Sequence, residues 1–70
     1  MRKLMEVSYE GLRFVKSETS ATVNVYNDRI GKEVYCFTHY EIGDNYTMFR
    51  EYCIDRYPEI VEDLNKSGLY

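Results

Sequence analysis

The sequence predicts an α+β domain: a small antiparallel sheet, ββββ in two hairpins, followed by a C-terminal amphipathic helix kinked or broken at Pro58. Three observations carry this. Apolar residues alternate with period two through the first 40 positions, the period changes to three and four from residue 41, and 70 residues fit one domain and no second. Strands followed by helix imply an antiparallel sheet with its helical layer on one face. The whole chain, 1–70, is therefore expected to form a single α+β unit.

The first hairpin spans residues 3–16. Met5, Val7 and Tyr9 share one parity, Leu12 and Phe14 share the other, and the switch falls at Glu10-Gly11. With a turn there, Tyr9 opposes Leu12, Val7 opposes Phe14 and Met5 opposes Lys16, which puts the apolar members on one face. A type I′ turn and a type I turn with Gly11 in a bulge compete, and in both Gly11 takes the positive φ. Ser17-Glu18-Thr19-Ser20 is a polar connection. Ala21 to Tyr26 then alternates Ala, Val, Val against Thr, Asn, Tyr, as a half-buried strand does. Asn27, Asp28 and Gly31 mark a turn. Lys32 to Tyr40 forms the fourth strand, with Val34 and Cys36 on one parity and Tyr35 and Phe37 on the other. A strand apolar on both faces is expected either to sit centrally or to carry a binding surface.

Glu41 to Asn45 holds turn and N-cap residues, and Tyr46, Phe49, Cys53, Tyr57, Ile60 and Leu64 recur at helical spacing. Proline inside a helix costs about 3 kcal/mol, so a kink or break is expected near Arg56-Tyr57, with Pro58 opening a second segment. Lys66, Gly68 and Leu69 fit a C-cap and its hydrophobic contact.

Composition narrows function. Nine basic against twelve acidic residues give a net charge of −3, which opposes phosphate. After Met1-Arg2-Lys3 the apolar run is only Leu4 and Met5, too short for a secretory signal. No stretch suits a membrane span, so the expected address is the cytoplasm. Two cysteines, Cys36 and Cys53, are too few for a disulfide framework and are expected to be buried thiols. Cys36-x-x-His39 has the spacing of half a zinc site, but strand residues three apart point to opposite faces and a structural site takes four ligands. No Gly-rich phosphate loop or nucleophile-base pair is evident. No enzyme activity, metal or cofactor is expected.

Eight tyrosines without a tryptophan are the most unusual feature. One helix covers one side of a sheet, so the other side is expected to be wet, dimeric or bound, and half-exposed phenols suit an interface. Tyr26, Tyr40 and Tyr52, by parity or helical angle, point away from the inferred core. Glu51, Asp55, Glu59 and Asp63 recur every four residues, about 6 Å apart along an ideal helix, a spacing that resembles successive phosphates unless Pro58 breaks it. Tyr26, Tyr40, Tyr52, Glu51 and Asp55 are the expected partner-binding residues. The leading expectation is a non-enzymatic module that binds another protein as a small regulator or inhibitor. In size, acidity and tyrosine content, a likeness of composition alone, the chain resembles inhibitors carried by phages and other mobile elements, such as anti-CRISPR proteins. Two alternatives stand beside it. One is nucleic-acid binding by a basic hairpin edge of Arg13, Lys16, Arg29 and Lys32 with stacking tyrosines; the other is a structural homodimer joined by its greasy strand face.

Overall fold

The structure, a computed structural model, describes residues 4–70. Four strands, β1 (Leu4–Tyr9), β2 (Leu12–Ser17), β3 (Thr22–Asn27) and β4 (Lys32–Thr38), form an antiparallel meander in the order β1-β2-β3-β4. Helix α1 (Tyr46–Ser67) follows and packs across one face.

The first hairpin has the register its parity predicts: Tyr9 opposes Leu12, Val7 opposes Phe14 and Met5 opposes Lys16. Both turn residues have positive φ, 47° at Glu10 and 86° at Gly11, the signature of a type I′ turn, whose twist matches the strands it joins. Glu10 is the one non-glycine residue with positive φ among the described residues. It is held from outside, because the hydroxyls of Tyr57 and Tyr70, 2.6 Å apart, both reach its carbonyl oxygen at 2.8 and 3.2 Å.

One face of the sheet presents Met5, Val7, Leu12, Phe14, Val23 and Val25, all buried. Phe49, Cys53, Ile60 and Leu64 of α1 close over them, joined by Ile42 from the β4–α1 loop. Asn45 caps α1, its Oδ1 accepting from the Met48 N–H at 3.0 Å. Gly68 ends it in the left-handed region, φ 72°, and the Leu69 N–H returns to the Leu64 carbonyl. Asn27, buried, donates from Nδ2 to the Leu69 carbonyl and accepts the Arg29 N–H, so the chain end is docked onto the β3–β4 turn.

The structure corrects one expectation and narrows two that stood open. First, α1 runs unbroken through Pro58, and no second segment starts there. The four buried side chains lie on both sides of the proline; each contributes about 1.5–3 kcal/mol of burial, which together exceeds the cost of one lost helical hydrogen bond and its clash. Second, β4 is an edge strand, not a central one. A bulge displaces its register between Val25 and Tyr26 of β3, so that Tyr26 faces Glu33 while Val25 faces Tyr35. Val34 is the extra residue and packs toward the core with Tyr35 and Phe37, while Cys36, opposite Asn24, is exposed on the other face. Third, the uncovered face is mixed: Glu6, Ser8, Arg13, Thr22 and Asn24 share it with Leu4, Val15 and Cys36, and Tyr26 is its one tyrosine among the described residues.

Candidate functional site

Most of the phenols have structural employment. Tyr9 and Tyr57 meet edge to face at 5.0 Å, and Tyr57 with Tyr70 pins the first turn. Burial, followed by the hydrogen bond with Tyr70, raises the Tyr57 hydroxyl well above the usual phenol range. Tyr35 lies against the core. Tyr26 lies under Arg13, whose guanidinium carbon is 4.8 Å from the ring centroid. Arg13 in turn forms a two-bonded pair with Asp28, both at 3.0 Å, and a third bond to Glu6 at 2.9 Å. The Arg13 hydrogen bonds hold the Asp28 carboxyl below its ordinary value. Tyr26 thus belongs to a self-satisfied polar cluster on the open face, apart from the other expected site residues.

Three of those others, Glu51, Tyr52 and Asp55, lie together on the flank where α1 meets β4. Tyr52, half-buried, packs against Phe37 with centroids 5.6 Å apart and against His39 at 4.2 Å. Arg56 stands over its ring at 5.5 Å. Glu51 and Asp55 flank Tyr52 on the helix, and with Met48 these residues line a shallow hollow of about 370 Å³. Tyr40, one residue beyond His39, is 85% exposed. His39 is fixed at both ends, its N–H donating to the Ala21 carbonyl and its Nδ1 accepting from the Glu41 N–H. Neither Glu51 nor Asp55 has an ion-pair partner among the described residues, whereas Glu59 pairs with Arg56 and Glu62 with Lys66. Met48 escaped the sequence reading, although it lies four residues before Tyr52 and so on the same helical stripe.

Of the four residues of the basic hairpin edge, Arg29 and Lys32 are exposed and Lys16 is turned inward. Lys16 is 1% exposed on the core face, and its Nζ donates to the carbonyls of Ser17, at 2.8 Å, and Gly43. Arg13 is engaged by its two carboxylates, and Arg29 stands 5.9 Å from the Tyr70 ring. Lys16 shares the parity of Leu12 and Phe14, so its inward aim was readable from the strand alone.

The expectation of two buried thiols holds for one. Cys53 is fully buried, and burial pushes its thiol up to about 12; Cys36 is exposed on the opposite side of the sheet. A thiol reagent is therefore expected to titrate one cysteine per chain rapidly in the native state and two in guanidinium. Two rapid thiols before unfolding would contradict the packing of Cys53. Among the described residues no three His, Cys, Asp or Glu side chains are grouped to hold a metal ion, and no helix is long and apolar enough to cross a membrane. No protein-family model, curated protein or solved structure matches the chain.

Proposed function

We propose that this chain is a non-enzymatic protein-binding module that regulates or blocks a partner by seating a basic segment of it on the flank formed by α1 and β4. The supporting observation is the hollow of Met48, Glu51, Tyr52 and Asp55, where one aromatic ring, with Arg56 over it at 5.5 Å, lies beside two carboxylates that have no ion-pair partner among the described residues. Such a surface favours arginine or lysine, whose stem packs on Tyr52 and Met48 while its head reaches Glu51 or Asp55. Tyr40, the residue after His39, adds a nearly free ring.

The continuity of α1 extends the acidic character. Glu51, Asp55, Glu59 and Asp63 are all exposed on one helix, over about 18 Å at 1.5 Å per residue. A partner whose groove is built to hold phosphates presents the complementary charge. The inhibitors carried by mobile elements, which the chain resembles in composition, suit such a target.

Selection of a displayed random-peptide library on the immobilised protein tests this reading. Enrichment of arginine and lysine beside aromatic residues is expected. Binding should fall at least about tenfold in the Glu51→Lys/Asp55→Lys double variant, as the loss of charge complementarity at a desolvated contact implies, and should survive Tyr26→Ser. Peptides without basic enrichment, or binding indifferent to the double reversal, would reject it.

A further inference from the structure

The free edge of β4 adjoins the helix flank, through the contact of Phe37 with Tyr52, and has a backbone chemistry of its own. The His39 N–H donates to the Ala21 carbonyl, which continues the pairing of Thr22 with Thr38 and Val23 with Phe37. In an antiparallel ladder, successive residues direct their backbone groups alternately toward one neighbour and the other. His39, Phe37 and Tyr35 therefore bond inward to β3, and Thr38 and Cys36 aim their N–H and C=O groups outward, where no strand follows. The stretch Val34–Thr38 contains no charge and no proline, two of the devices that protect an edge, and the bulge, a third, lies at its first residue and leaves Tyr35 to Thr38 in regular pairing. The opposite edge is different: β1 carries Glu6 at its middle, bonded to Arg13.

The inner face at β4 is also incompletely covered. Val23 and Val25 are fully buried, but Phe37 and Tyr35, which pair with them across the strands, are only half-buried. We infer that this edge receives a second copy of the same chain, pairing antiparallel β4 to β4 about a two-fold axis at Cys36 and joining two four-stranded sheets into one of eight. This register is self-complementary. It sets Tyr35 of each copy against Phe37 of the other on the inner face, and it satisfies the outward backbone groups of Cys36 by those of its counterpart. It also brings the Lys32 end of one β4 beside the Tyr40-Glu41 end of the other. Lys32 and Glu41 are exposed and have no ion-pair partner among the described residues.

Sedimentation equilibrium of the whole chain under reducing conditions tests the inference, with two variants. Thr38→Pro removes an N–H that the sheet of one copy does not use, in an edge position that tolerates proline. Cys36→Lys places two like charges face to face across the axis while leaving the exposed position free in a single copy. The wild type is expected at twice 8.4 kDa, and both variants, with unchanged circular dichroism, at the mass of one chain, their dissociation constants raised at least about a hundredfold. A wild type that stays monomeric at the highest soluble concentration would overturn the inference, as would a dimer that either folded variant leaves intact.

Discussion

Phe49→Ala is expected to leave the chain largely unfolded at 25 °C. Phe49 is fully buried one turn into α1, among the side chains that bind the helix to the sheet. Truncating a buried phenylalanine costs about 3–5 kcal/mol, through lost transfer energy and the cavity left behind. A single core in a chain of this size rarely supplies more than about 3–5 kcal/mol in total, so one substitution removes essentially the whole margin. The neighbouring Met48→Ala is the control: Met48 is 42% exposed, and its loss should change stability by less than about 1 kcal/mol. Urea titration followed by circular dichroism separates the two. A cooperative transition of near wild-type midpoint for Phe49→Ala would mean that α1 is not held by this residue.

Lys16→Glu should be comparably severe. The Lys16 stem lies on the core face, and its ammonium supplies donors to the carbonyl oxygens of Ser17 and Gly43. A carboxylate there has acceptors only. It would confront two carbonyl oxygens with no donor, in a position almost closed to water, and breaking a buried charge arrangement in this way costs about 3–5 kcal/mol. Lys16→Met separates the two contributions of the residue, because it keeps the stem and deletes only the donors; it should be markedly milder than Lys16→Glu. Equal unfolding midpoints for Lys16→Glu and wild type would show that the Nζ bonds do not fasten the β4–α1 loop.

The same residue shows where sequence reading succeeds and where it stops. Parity placed Lys16 opposite Met5, and the structure keeps that pair. Its true partner, the Gly43 carbonyl, lies 27 residues away, and no local pattern announces it. Local rules served well where the determinants are local: the parity switch at Glu10-Gly11 set the first hairpin, and Asn45 and Gly68 bounded the helix. They failed where tertiary packing decides. Pro58 is a strong local signal, yet apolar burial on both sides carries the helix through it. The bulge at Val34 turned that one residue of β4 toward the core, on the side of Tyr35 and Phe37 and away from Cys36. The hydroxyls of Tyr57 and Tyr70 bond to a carbonyl 47 and 60 residues distant, a partnership that no local pattern announces. Of the five expected contact residues, Glu51, Tyr52 and Asp55 were legible together because helical spacing is short-range. Tyr26 went elsewhere because Arg13 and Asp28 were not visible as its companions.

Amide chemical-shift mapping with a selected arginine-rich peptide discriminates most directly between the two exposed faces. Docking on the helix flank requires the perturbed amides to centre on Met48, Glu51, Tyr52 and Asp55 and to extend to His39 and Tyr40. Perturbations centred instead on Arg13, Val15, Asn24 and Tyr26 would place recognition on the open sheet face and refute the assignment.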